Sequence, residues 1–381
     1  MTALRETMTR RATGARREPI IDCDIHNELA PGSLDPFLST QWRRHRETYG
    51  SRTHTGSLYP KGAPHAARTD AWPPSGLVPG ADLGFMQQQH LDPMKVEYGI
   101  LNCLSPASTQ LDPDYAAALC AATNDWQQAE WFERDGRLRG GIVVPVEDAA
   151  LAASEIDRVA GRPGFVQVLL VCRTAAPLGH RRYWPIYEAA ERHGLPVGIH
   201  FGGGSRGVPI TAAGWPSYYI EDHTSMSQAF QAHVASFVLS GVFDRFPGLR
   251  VVLIEGGFAW LPALTWRLDR HVARLQGDLP RLQRRPSAYV AEHLWVTTQP
   301  MEEPRRPRDL ETIFSHLGGV DRVMFSTDYP HWDFDDPARA FPVKLPAQLR
   351  RQVLTENARA LYRLPAASVA EADGRSPSHG H

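Results

Sequence analysis

Residues 19–26 read PIIDCDIH and residues 195–201 read LPVGIHF, two apolar, β-branched runs that each close on a side chain able to bind a cation or a proton. An unbroken apolar run of this length suits a strand covered on both faces, as in a parallel sheet. Six more runs of the same kind follow along the chain: YGILNCL (98–104), LRGGIVVPV (138–146), GFVQVLLV (164–171), LRVVLIE (249–255), HLWVTT (293–298) and RVMFST (322–327). Between and after them lie helical patterns at 114–134, 147–159, 183–193, 226–240, 259–275, 310–317 and 347–362. About eight alternations of strand and helix predict a parallel sheet with helical crossovers. Eight units in one chain of this length predict a closed (β/α)8 TIM barrel. A doubly wound open sheet is the competing architecture, but no GxGxxG follows the first run.

Two stretches exceed the minimal barrel. Residues 42–83, after the first run, are rich in Pro, Gly, His and Arg; residues 202–223, after the fifth, are rich in Gly, Ser, Pro and aromatics. Each follows a strand, so both belong to the carboxyl-terminal face, where long loops build and cover sites. Trp215, Tyr218 and Tyr219 are expected to be covered there, because exposing them is costly. The barrel is expected to occupy residues 18–364. The basic, polar residues 1–17 and the small, polar residues 365–381 are expected to form a disordered leader and tail.

Composition narrows the function classes. The formal net charge of −1 gives no electrostatic footprint for nucleic acid. No window approaches the roughly 18 uninterrupted apolar residues of a membrane span. Cys23, Cys103, Cys120 and Cys172 show no metal-finger spacing and read as thiols of a reducing compartment, so a cytoplasmic location is expected.

The chemistry concentrates at strand ends. Asp24 and His26 stand two apart on the first strand and so face one way. His200 closes the fifth strand before Gly202-Gly203, and Asp328 closes the eighth in STDYPH. In a barrel, strands one and eight are neighbours and strand five lies opposite, so the four side chains converge on one mouth. Two imidazoles and two carboxylates suit one divalent ion, zinc first, with manganese or iron as alternatives, and offer too few oxygens for calcium. His331, His223 and His180 are candidates to meet a substrate or carry a proton, in that order. Arg206 and Arg173 are candidate clamps for an anionic group, and Tyr218 a candidate substrate contact. DFDDP at 333–337 reads as a turn and helix start.

The pieces PIIDCDIHNE, YWPIYEAAERHGLPVGIHFGG, SGVFDRFPGLRVVLIEGGFAWLPALTWRLDR, MFSTDYPHWD and LTENARALYRL together resemble the amidohydrolase-related family. The likeness is to the branch of aminocarboxymuconate-semialdehyde decarboxylase and other metal-dependent aromatic-acid decarboxylases, and spans roughly residues 18–364. The resemblance implies metal ligation by His26, His200 and Asp328, with Asp24 where the family's first histidine usually stands. It also implies a catalytic residue at the end of strand six, where many members carry His and this chain carries Glu255 in IEGG. The expectation is therefore a metal-dependent enzyme acting on a small carboxylated cyclic or unsaturated substrate by decarboxylation. Asp328, Glu255, His331 and His223 are its candidate proton carriers. The alternatives are a metal-dependent hydrolase of an amide, ester or lactone, and a barrel that is non-catalytic or metal-independent. A homodimer is a family-level expectation.

Overall fold

The computed structural model describes residues 18–50, 59–202, 214–279 and 282–366. The leader and Arg206 lie outside the described residues, as does the tail beyond Ala366. Eight parallel strands follow one another in chain order: β1 (Ile20–Ile25), β2 (Val96–Leu101), β3 (Leu138–Val143), β4 (Phe165–Val171), β5 (Val197–His200), β6 (Val251–Ile254), β7 (Leu294–Thr297) and β8 (Val323–Met324). The ring closes because Cys23 N–H donates to Phe325 O at 2.9 Å, Asp328 N–H to Asp24 O at 3.0 Å and His26 N–H to Tyr329 O at 2.7 Å. β8 pairs over only two residues before the backbone leaves ladder geometry, so it is much shorter than its apolar run suggests.

The principal crossover helices are α1 (Thr40–Tyr49), α2 (Pro113–Gln127), α3 (Ala149–Val159), α4 (Trp184–Arg192), α5 (Tyr219–Thr224), α6 (Met226–Leu239), α7 (Trp260–Arg274), α8 (Pro286–His293), α9 (Arg308–His316) and α10 (Asn357–Tyr362). Several start where the sequence caps them. The Asp112 carboxylate accepts from Tyr115 N–H and Asp148 accepts from Leu151 N–H, each satisfying an amide that the helix leaves open. Strands and helices bury one continuous apolar layer that includes Ile20, Ile199, Leu253, Phe230 and Phe237.

A second, smaller cluster joins Ile21, Cys23, Ile100, Val252, Ile254 and Met324 with Ala358, Leu361 and Tyr362 of α10. Arg359 of α10 reaches Glu97 near the start of β2, so this helix closes the barrel at the amino ends of the strands. Chemistry is thereby confined to the other end. A register shift in β1 between Asp22 and Ile25 serves that end. It lets Cys23 pack inward with Ile21 while the next residue, Asp24, still faces His200.

Candidate metal centre

Asp24, His26, His200 and Asp328 come together at the carboxyl ends of β1, β5 and β8. All four are fully buried, and each offers one ligand atom within 4.8 Å of the others. Asp328 holds a left-handed backbone (φ 61°), as does Glu255 at the end of β6 (φ 60°). Non-glycine residues in this region are strained and gather at functional sites.

Both imidazoles are oriented from behind. His26 donates from Nδ1 to the carbonyl of Asn102 at 2.8 Å, and His200 donates from Nδ1 to the carbonyl of Phe201. Their Nε2 atoms therefore face carboxylates: His26 lies 2.8 Å from Asp328 Oδ1 and 3.5 Å from Asp24 Oδ1, and His200 lies 3.2 Å from Asp24 Oδ2. A lone pair opposed to a buried carboxylate is repulsive unless a proton or a cation lies between. Without a cation, burial and Asp24 pull His200 in opposite directions; Asp24 and Glu255 prevail, and its pKa rises to about 9. Burial dominates at His26, which falls to about 4. At Asp24 burial is outweighed by the two imidazoles, which lower it to about 2. Burial, with Glu255, Asp333 and Asp24 nearby, drives Asp328 well above the usual carboxylate range. The ring nitrogens, the two carboxylates and the excess of buried negative charge fit a single divalent ion.

A second layer surrounds this quartet. Asn102 Nδ2 donates to Asp24 Oδ1 at 2.8 Å, and Gln167 Nε2 holds Asn102 Oδ1 at 2.8 Å. Gln299 Nε2 donates to Asp333 Oδ2 at 2.9 Å and reaches Asp328 Oδ2 at 3.3 Å. His331 Nδ1 lies 2.8 Å from Asp328 Oδ1, and its ring stacks on His26 with centroids 4.3 Å apart. Burial and His26 hold His331 well below the ordinary histidine range, so its neutral ring donates to Asp328. His223 Nε2 lies 3.2 Å from Asp333 and 3.8 Å from Glu255, and Glu255 Oε2 lies 3.5 Å from His200 Nδ1. Burial raises Glu255 well above the usual range; His200 opposes this, and Asp333 and Asp24 add to it.

These groups open onto a cavity of about 140 Å³ lined by Tyr59, Phe201, Tyr219, His223, Glu255, His331, Trp332 and Asp333, among others. A cavity of about 150 Å³ holds one benzene ring. Tyr59 and Ala66 belong to the long stretch after β1, and Ala67 bridges His331, so that stretch forms part of the wall.

Of the sequence candidates, Glu255, His223 and His331 reach this cavity, but His180 and Tyr218 do not. His180 is exposed and accepts the amide of Arg182, capping a short helix turn. Tyr218 is 73% exposed at the start of α5, and Trp215 is 62% exposed, so the expected cover over these rings is absent. Tyr219 faces the cavity instead, its hydroxyl accepting from Trp332 Nε1 at 3.2 Å. The sequence DFDDP places Asp333 in a turn. It enters the site because Asp335 N–H returns to Thr327 O at 3.1 Å, folding the segment back over the mouth. Asn102, Gln167 and Gln299 also belong to the site; in the sequence only a lone amide within an apolar run marks Asn102 and Gln167, and nothing local marks Gln299.

The fold is a (β/α)8 barrel with a buried cluster that could hold a metal ion, and the amidohydrolase family model matches residues 21–364: the chain belongs to that family. It is similar to gamma-resorcylate decarboxylase of Rhodococcus jostii (strain RHA1), 29% identical over 323 residues, covering 76% of this chain and 93% of that one. It is also similar to gamma-resorcylate decarboxylase of Polaromonas sp. (strain JS666), 26% identical over 287 residues, with 72% and 85% covered. Among solved structures, 5-carboxyvanillate decarboxylase of Novosphingobium aromaticivorans DSM 12444, in complex with manganese, shares the fold. It has a TM-score of 0.67 at 19% identity, with 91% of this chain and 96% of that chain covered. No helix among the described residues is long and apolar enough to cross a membrane.

Proposed function

We propose that this chain is a metal-dependent decarboxylase of small aromatic acids. The observation that carries the reading is the buried quartet of Asp24, His26, His200 and Asp328, which the wall residues His331 and Glu255 of a ring-sized cavity touch at Asp328 and His200. Its relatives support the reaction class, since the curated ones are named as decarboxylases. In this reading Asp24, His26, His200 and Asp328 hold the ion. Two imidazoles and two carboxylates suit zinc, manganese or iron, and manganese is bound in the 5-carboxyvanillate decarboxylase structure. When bound, a divalent ion supplies positive charge that anchors the carboxylate or an adjacent oxygen of the substrate and offsets negative charge that develops on it.

The protein's own residues supply the rest. Phe201, Tyr219 and Trp332 present apolar faces that hold the ring and exclude water. Glu255, kept protonated by burial, delivers its proton to the ring carbon that bears the carboxylate. The carbon–carbon bond then breaks, CO₂ leaves, and the electron pair restores the aromatic ring. His223, in contact with both Glu255 and Asp333, returns a proton to Glu255. His331 donates to Asp328 and fixes which oxygen of that carboxylate faces His26. One proton is taken up for each CO₂ released, and no water is consumed. The four buried, unpaired cysteines fit a reducing, cytoplasmic setting.

The test is incubation of the metal-loaded protein with 2,6-dihydroxybenzoate and 5-carboxyvanillate in ¹⁸O-water. CO₂ release with no ¹⁸O in the aromatic product is expected. An ¹⁸O-labelled acid or alcohol formed from an amide, ester or lactone, without CO₂, would replace this reading with hydrolysis.

A further inference from the structure

His223, Glu255 and Asp333 form a second cluster able to hold a cation, beside the quartet and sharing no residue with it. Three elements bring them together. Glu255 ends β6 with a left-handed backbone (φ 60°), and its N–H donates to Thr297 Oγ1 of β7 at 3.2 Å. His223 lies on α5, and Asp333 lies in the segment that folds back over the mouth after β8. His223 Nε2 is 3.2 Å from Asp333 Oδ2 and 3.8 Å from Glu255 Oε1, and each residue offers one ligand atom within 4.8 Å of the others. Two ligands roughly 2.1 Å from one tetrahedral ion stand about 3.4 Å apart, so the spacing suits a metal.

The donor set favours an ion over a simple ion pair. One imidazole meets two carboxylates, and a single protonated ring balances only one of them. Like charges held this close in a sheltered site need a proton or a cation between them. The side chains of His223, Asp333 and Glu255 keep 13, 12 and 6% of their surface exposed and line the cavity, so an ion from solvent reaches them. The ligands are also held in place. Gln299 Nε2 donates to Asp333 Oδ2 at 2.9 Å, and the His223 ring packs against Trp332, Tyr219 and Phe201 at 5.1, 6.0 and 6.2 Å. Partners of this kind orient metal ligands. Glu255 links the two clusters, since its Oε2 lies 3.5 Å from His200 Nδ1.

We propose that His223, Glu255 and Asp333 form a second divalent-cation site, which fills after the quartet and stops the reaction. It is the weaker site because it has three protein ligands rather than four and because the first dication repels the second. The inhibition rests on the decarboxylase reading. An ion on Glu255 occupies the carboxylate that carries the proton to the ring, and the same ion occupies the His223 nitrogen that returns it. Excess metal therefore blocks the proton relay while the ion of the quartet stays in place.

The test titrates manganese alone into full-length protein that already holds one manganese ion per chain, followed by calorimetry and electron paramagnetic resonance. Wild type is expected to bind about one further ion per chain, more weakly than the first, and the signal of the first ion should broaden as the second binds beside it. Asp333→Asn keeps the side chain's shape, and His223→Phe keeps the ring packing. Each is expected to weaken the second ion by more than the about 10- to 100-fold that loss of an outer partner costs, with the first ion retained. CO₂ release from 2,6-dihydroxybenzoate by wild type should fall over the manganese range in which the second ion binds. No second ion below about 1 mM manganese, the weak end of divalent-ion sites, would overturn the proposal. So would a second ion that both variants hold equally well, or one that leaves the first ion's signal unchanged, since either places it elsewhere as an adventitious ion only. A second ion that depends on His223 and Asp333 but leaves CO₂ release unchanged would overturn the inhibition. No CO₂ release at any manganese level, with the second ion bound as expected, would overturn the decarboxylase reading and leave the site standing.

Discussion

Replacing Asn102 by Leu tests whether the layer behind the quartet sets metal affinity. The two side chains are close in volume, so the change removes polar contacts with little cavity formation. Asn102 Nδ2 donates to Asp24 Oδ1 at 2.8 Å and to Cys23 O at 3.1 Å, while Asn102 Oδ1 accepts from Gln167 Nε2 at 2.8 Å. The hydrogen bond to the Asp24 carboxylate is of the ~1.5–3 kcal/mol kind, and a stranded Gln167 N–H costs a further ~1–3 kcal/mol. The metal-free variant is therefore expected to be ~2.5–6 kcal/mol less stable to urea. His26 is untouched, because it bonds the Asn102 backbone carbonyl. Only Asp24 loses its guide, and loss of one such orienting partner weakens divalent-ion binding by about 10- to 100-fold. Chelator competition measures the affinity and urea unfolding measures the stability. Affinity unchanged within about 3-fold, with Gln167 stranded and stability reduced, would refute the assignment of Asn102 as an orienting group for a metal ligand.

Three further outcomes follow from the same structure. In the metal-free protein the His200 pKa is raised to about 9 and Asp328 is driven well above the usual carboxylate range, so protons must leave before an ion binds; affinity should rise by about 10-fold or more per pH unit from 6 to 9, and isothermal titration showing constant affinity across that range would contradict this. His233 is buried; its Nδ1 accepts from Leu178 N–H and its Nε2–H donates to Cys172 O, and burial lowers its pKa to about 4. The unfolded chain, with histidine near 6.5, binds that proton first, so His233 contributes stability above pH 6.5 that is lost as pH falls toward 4, by ~3 kcal/mol in all. Urea unfolding of His233→Gln against wild type should show a penalty at pH 7 that shrinks toward pH 4, and a constant penalty would contradict it. A Cβ at Gly179 would lie 2.2 Å from the Ser236 backbone, so Gly179→Ala should destabilise by ~3 kcal/mol or more, and a melting temperature equal to wild type would show that this contact relaxes freely.

The barrel was legible because its strands are apolar on both faces, and periodicity needs no knowledge of partners. The quartet was legible because each member ends such a run, which a barrel turns toward one mouth. Legibility ended at loops and second contacts. Asp333 and Tyr219 enter the cavity through chain returns that no local pattern encodes, whereas His180 and Tyr218, equally polar and equally near strand ends, turn to a cap and to solvent. Arg173 shows the same limit: its sequence context permits a solvated loop side chain, and only the fold brings Asp222, some fifty residues later, to fix it. β8 shortens because its last residues trade ladder bonds for contacts to Asp22, Thr298 and Asp24, a tertiary demand that outweighs the apolar run.

The most direct test of the metal centre is elemental analysis of purified wild type and of His200→Ala after reloading with zinc, manganese or iron. The account predicts about one divalent ion per chain in wild type, and loss of that ion in the variant, whose fold is retained by circular dichroism. No bound ion in wild type after reloading, or an ion held equally well without His200, would contradict it.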